Sequence, residues 1–183
     1  MARKDAEKHL DIPKKDKSIQ SVSDGTAAIV KFTVYGEPVP KERARTVTSV
    51  GYDGKKHTHS YTPEKTEIHE QKIALVYKSI YHGFKFPKGV PLRLACDFFF
   101  EIPKTIQRKK VNPKTREAML AGEIRPMNKK DPDNCLKTVA DAGNGVIYED
   151  DEQIVEMAGR KFYSDHPRTE IFIAKIGEGE TDD

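Results

Sequence analysis

The chain has 183 residues, of which 33% are charged and 36% hydrophobic, and a formal net charge of +3. That length can bury one core unaided, and two cysteines, Cys96 and Cys135, are too few for a disulfide framework. With no apolar run near bilayer length and no apolar signal core at the N-terminus, membrane functions are excluded and a soluble, cytoplasmic protein with reduced thiols is expected.

Residues 1–26 mix both charges and hold few aliphatic side chains. They cannot offset the entropy of ordering and read as a disordered tail, either a neutral appendage or a partner-binding arm. The domain is expected over 27–176, with residues 177–183 as an acidic disordered tail. Ala28 to Gly36 alternates, with Val30, Phe32 and Val34 on one face of a first strand. Glu37-Pro38-Val39-Pro40 ends it. In the following KERART, an extended backbone would point Lys41, Arg43 and Arg45 the same way, either as a solvated face or toward phosphate.

Residues 46–61 are polar, contain Gly and read as a loop holding His57 and His59. No thiolate with ligand spacing accompanies the pair, so exposed histidines fit better than a zinc site. Thr62-Pro63 suits a helix start, a hydroxyl cap followed by Pro in the first turn. The helix should run to about His82 and bury Ile73, Val76, Tyr77 and Ile80. Leu92 to Ile102 is the clearest strand: Leu92, Leu94, Cys96, Phe98, Phe100 and Ile102 face one way, against Arg93, Ala95, Asp97 and Glu101. Phe99 breaks the polar face, where it would pack under a helix or join a dimer interface.

Residues 101–130 carry nine Lys or Arg against three Glu, with a short helix expected near Thr115 to Ala121. Asp131 to Gln153 then reverses the sign, with seven Asp or Glu against the single Lys137. Asp131-Pro132-Asp133-Asn134 reads as a helix start, backed by an apolar stripe of Leu136, Val139, Ala140 and Gly143. On that helix Asp133, Lys137 and Asp141 share one face. Asn144-Gly145 stops it, Val146-Ile147-Tyr148 returns to the core, and Asp150-Asp151 can fold back against the first acids.

A lone D-x-D could be an ordinary cap, and Asp150-Asp151 alone a solvated turn. An EF-hand fails on spacing, because the sixth position from Asp131 is Leu136 and the twelfth Ala142. Carboxylates from two segments with one Lys among them suit metal-assisted phosphodiester chemistry. A basic segment beside them would attract the DNA backbone.

The pattern D-x-D-N-x-x-K-x-x-x-D, then Asn-Gly, then D-D-x-Q, resembles the RusA endodeoxyribonucleases. The likeness extends to K-x-R-x-R at Lys41, Arg43 and Arg45 and to Tyr61-Thr62-Pro63, and spans roughly residues 28 to 176. Pro132 inside D-x-D and the N-terminal extension stand apart from the pattern. The resemblance implies a Mg²⁺-dependent Holliday-junction resolvase of the kind often carried by phages and prophages, with Mn²⁺ able to substitute. It implies catalytic Asp131, Asp133, Asp151 and Lys137. The three Asp would bind metal, joined by Asp150 as a further ligand or a support behind them.

Lys41, Arg43, Arg45, Arg108, Lys109, Lys110, Lys129 and Lys130 would meet DNA, and Lys161 is a weaker site residue. Ile154 to Tyr163 and Thr169 to Ile176 complete the strands. The element order gives an α+β domain with helices on one side of a mixed sheet. The resemblance adds a RusA-like homodimer whose two-fold symmetry suits paired nicks in a four-way junction, in recombination and repair. Two rivals remain: a nuclease of the same fold acting on other branched DNA, and a non-catalytic structure-specific DNA-binding protein.

Overall fold

The computed structural model describes residues 29–50, 52, 54–104, 113–127 and 130–176. Both expected tails, and Arg108, Lys109, Lys110 and Lys129 of the basic run, lie outside the described residues. The architecture is α+β. A four-stranded mixed sheet runs β1 (Ile29–Tyr35), β6 (Arg168–Lys175), β4 (Leu92–Glu101), β5 (Ile154–Ser164) in spatial order. The β1·β6 and β6·β4 pairs are antiparallel and β4·β5 is parallel. Between β4 and β5 the chain makes α2 (Pro113–Ala121), α3 (Pro132–Gly143) and a single 3₁₀ turn at Asp151–Gln153.

Alternation in β4 explains its central place. Leu92, Leu94, Cys96, Phe98 and Phe100 are each at most 2% exposed and join a core with Ile73 and Tyr77 of α1 (Glu64–Tyr81) and Leu136 and Val139 of α3. Burying each such side chain contributes about 1.5–3 kcal/mol, so this face anchors the domain. Val30, Phe32 and Val34 of β1 complete the same layer.

Among the described residues, side chains rather than a helix cover the opposite face of β4. Asp97 accepts from Nε and an Nη of Arg160, both at 2.7 Å. Phe99 stacks on Phe162 with centroids 5.1 Å apart, and the Arg168 guanidinium lies 3.7 Å over the Phe99 ring. Register causes this, since both Phe162 and Arg168 pair with Phe99 across the strands. Phe99 is therefore roofed by flat cations and rings, which gain from the negative ring face, rather than by one of the described helices.

α1 begins as expected but with a different cap. Pro63 is the N-cap and no side chain caps the first turn. The buried positions are Thr66, His69, Ile73, Tyr77 and Tyr81, a three- and four-residue spacing that leaves Ile80 37% exposed. Tyr81 takes the place expected for Ile80 because its hydroxyl donates to the Lys31 carbonyl at 2.8 Å while its ring stacks on Tyr77.

The expected loop over 46–61 is an antiparallel hairpin, β2 (Arg45–Val50) and β3 (Lys56–Tyr61). All twelve of its strand residues are exposed, so no hydrophobic alternation marks it. Thr46 with Ser60 and Thr48 with Thr58 hydrogen-bond across it instead, at 3.2 and 3.3 Å. Tyr52 at its tip is fully exposed.

Candidate active site

α3 presents the first group of charges. Pro132 occupies its first turn and Asp131 is its N-cap in extended conformation, yet the Asp131 side chain makes no capping hydrogen bond. The carboxylate is thus not consumed by the helix, as an ordinary cap would be. Asp133 and Lys137 are exposed and pair at 3.4 Å. Asp141 follows two turns on, about 12 Å along the axis from Asp133 at 1.5 Å per residue. The inner face buries Cys135, Leu136, Val139 and Ala140, which fixes the acidic face outward.

Lys130 and Lys161 flank the start of α3. Burial pushes the Cys135 thiol up to about 11, Lys130 and Lys161 pull against that shift, and Asp133 and Asp131 add to it. All four charges therefore act on one buried atom. The Lys161 ammonium donates to the Lys130 carbonyl at 3.0 Å, and Lys130 reaches Glu37 at 3.2 Å and the Pro38 carbonyl at 3.2 Å.

The second acidic group is set by the end of α3. Tyr148 is fully buried and its hydroxyl donates to the Ala140 carbonyl at 2.7 Å. Burial, then the charges of Asp151 and, more weakly, Asp141, hold that phenol protonated. The ring lies so close to Gly143 that a Cβ there would sit 2.3 Å from the hydroxyl oxygen. Only Gly permits this approach, and it brings Asp150-Asp151 back against the helix.

Gln153 fastens the turn. Its amide donates to the Pro87 and Val90 carbonyls at 2.8 and 3.2 Å, and its oxygen accepts from the Glu149 N–H at 3.0 Å. Gln153 is the last residue of the D-D-x-Q pattern, and its burial within a polar segment assigns it this anchoring role.

Asp150 caps the 3₁₀ turn by accepting from the Glu152 N–H at 3.0 Å. Partial burial, the hydrogen bond shared with Asp150, and the charges of Asp150 and Asp141 push the Asp151 carboxyl above its ordinary value. Asp151 thus gathers with Asp150 and Asp141, while Asp131 and Asp133 stand nearer the other end of α3. Among the described residues, no three carboxylate, imidazole or thiol groups converge as a ready-made metal cage. The donors are nonetheless of the right kind. Hard Mg²⁺ takes only one or two protein carboxylates and completes its shell with water and phosphate oxygens, and a crowded Asp151 is a group that a cation relieves.

Of the K-x-R-x-R side chains, Arg43 and Arg45 are exposed, with Arg45 3.8 Å from Glu42. Lys41 turns inward. Its ammonium contacts Glu70 of α1 at 2.7 Å and Asp141 of α3 at 2.6 Å, and its backbone N–H donates to the Asn134 carbonyl at 2.8 Å. His57 and His59 lie on exposed β3. No helix among the described residues is long and apolar enough to cross a membrane.

The chain is 36% identical over 147 residues to an uncharacterized Bacillus subtilis (strain 168) protein, YqaN, an alignment covering 80% of this chain and 96% of that protein. The family model for endodeoxyribonuclease RusA matches residues 35–174, which includes the K-x-R-x-R segment, the whole of α3 and the Asp150-Asp151 turn. On the strength of that match, the chain belongs to the RusA family of endodeoxyribonucleases.

Proposed function

We propose that the protein resolves four-way DNA junctions by paired, Mg²⁺-dependent nicks, with Mn²⁺ able to substitute. The observation that carries this reading is the exposed, uncapped carboxylate row of α3 continuing to the anchored Asp151. A protein that only bound DNA would gain nothing from concentrating negative charge beside the backbone it attracts. Asp131 and Asp133 at the start of α3 and Asp151 toward its end would be the ligands, one or two of them bound directly and the rest through water, with Asp150 behind Asp151, where its capping bond limits its freedom. Once bound, the ion supplies Lewis acidity toward a phosphate oxygen and an activated water.

The remaining steps belong to the chain's own side chains. Lys137, exposed beside Asp133, orients the scissile phosphate and stabilises the charge that grows on it. Arg43 and Arg45 offer planar forks that match phosphate oxygens, and Lys130 adds charge near the start of α3. The exposed β2–β3 hairpin, which begins at Arg45, carries Lys55, Lys56, His57 and His59, and holds Tyr52 at its tip, where an aromatic ring can stack on an unpaired base. A homodimer would present two such sites to the two opposed strands of a junction, matching its approximate two-fold symmetry. Phage or prophage carriage and a role in recombination and repair are part of the same reading.

The test is the cleavage rate on a mobile four-way junction, a fork and a linear duplex with Mg²⁺. Symmetric paired nicks in the junction, at least tenfold faster than cutting of the duplex, are expected. Equal rates on fork and junction would instead assign a broader branched-DNA nuclease.

A further inference from the structure

Lys41 is held between two carboxylates from different helices. Its ammonium bridges two helices through Glu70 and Asp141 at 2.7 and 2.6 Å, with side chains only 27%, 19% and 33% exposed. Its main chain is tied to α3 through Asn134, so the loop after β1 cannot move without breaking this contact. Asp141 is in turn one of the charges acting on Asp151. Left alone, Asp141, Asp150 and Asp151 would form a second anionic centre toward the opposite end of α3 from Asp133.

We propose that Lys41 stands in for a second metal ion: clamped on Asp141 and Glu70, it neutralises that end of the carboxylate row and limits the site to one divalent ion per chain. The inference rests on the nuclease reading above and adds the ion count and a positioning residue. An ammonium in hydrogen-bond contact with both Asp141 and Glu70 occupies the place of a cation bound between those carboxylates. Displacing it would break two partly buried ion pairs and strand Lys41 between helices, a far greater cost than losing an exposed pair. Burial opposes the charge on Lys41, but the hydrogen bonds and charges of Asp141 and Glu70 outweigh that, and its pKa lies above its ordinary value. The cation therefore persists throughout the working pH range.

The test is Mn²⁺ binding to the full-length protein without DNA, followed by calorimetry and by electron paramagnetic resonance of the unbound ion. Wild type should bind one ion per chain, and Lys41→Arg, which keeps the charge, should do the same. Lys41→Met should bind two. The double variant Lys41→Met with Asp141→Asn, which removes both charges, should return to one. Two ions in wild type, or one in Lys41→Met with a native circular dichroism spectrum, would overturn the proposal while leaving the nuclease reading intact. If Lys41→Met does not fold, the wild-type count still decides. No ion bound by wild type would instead overturn the metal-dependent reading itself.

Discussion

Replacing Gly143 by Ala sets two effects of opposite sign against each other. Gly is a poor helix former, and Ala at the last position of α3 would gain at most about 1 kcal/mol from propensity. Against this, the new Cβ would lie 2.3 Å from the Tyr148 hydroxyl oxygen, 2.4 Å from its Cζ and 2.9 Å from its Cε1. The ring cannot swing aside, because it is 0% exposed and its hydroxyl is bonded to Ala140. Overpacking of this kind costs about 1–3 kcal/mol, and loss of the hydroxyl bond adds about 1 kcal/mol. The clash wins, for a net loss of roughly 1–3 kcal/mol. In urea, with a slope near 2 kcal/mol per M, the midpoint should fall by about 0.5–1.5 M at unchanged slope. Junction cleavage should fall as well, since Tyr148 directs the chain into Asp150-Asp151. An Ala variant as stable as wild type, or more so, would show that the ring does not pack against this glycine.

Three further outcomes are expected. Gln153→Leu deletes three hydrogen bonds that fasten the 3₁₀ turn, so cleavage should drop at least tenfold while junction binding in a gel-shift assay stays within about twofold; unchanged cleavage would deny the turn its positioning role. Arg160→Leu strands the buried Asp97 carboxylate and should cost about 3–5 kcal/mol in chemical denaturation, most of it recovered by also replacing Asp97 with Leu. The third concerns His69, whose pKa is lowered to about 4 by burial and by the charges of Lys72, Lys130 and Lys65. It is neutral when folded but titrates near 6.5 when unfolded, so its stabilisation is complete above about pH 6.5 and is lost as pH falls toward 4. The urea midpoint should therefore drop less between pH 7 and 4.5 in His69→Gln than in wild type; equal drops would refute this.

The parts of the fold that were legible in the sequence are those where burial and periodicity coincide. β4 shows its core face in five alternating apolar positions, and α3 shows its inner face in Leu136, Val139, Ala140 and Gly143. The β2–β3 hairpin was missed because nothing in it is buried; only its β-branched Thr and Val residues and the Asp53-Gly54 pair hinted at it. The burial of Tyr81 in preference to Ile80 turned on a hydroxyl contact with Lys31, which helical spacing alone does not reveal.

In the site, local spacing sufficed to place Asp133, Lys137 and Asp141 on one helix face. The contact of Lys41 with Glu70 and Asp141, 29 and 100 residues away, has no local signature, and neither has the hold of Gln153 on Pro87 and Val90. Sequence spacing lets Asp150-Asp151 fold back against the first acids but does not say how far along the helix. Tyr148, seated beneath Gly143, brings them to its end.

The most direct measurement of the central claim is cleavage of a mobile four-way junction with Mg²⁺ by wild type and by Asp133→Asn, which keeps the side chain's size and removes its charge. Paired nicks by wild type, with at least a hundredfold slower cutting but retained junction binding in the variant, are predicted. Equal cutting by both proteins would place the active site elsewhere. Tight junction binding without cutting by either would make this a DNA-binding protein and not a nuclease.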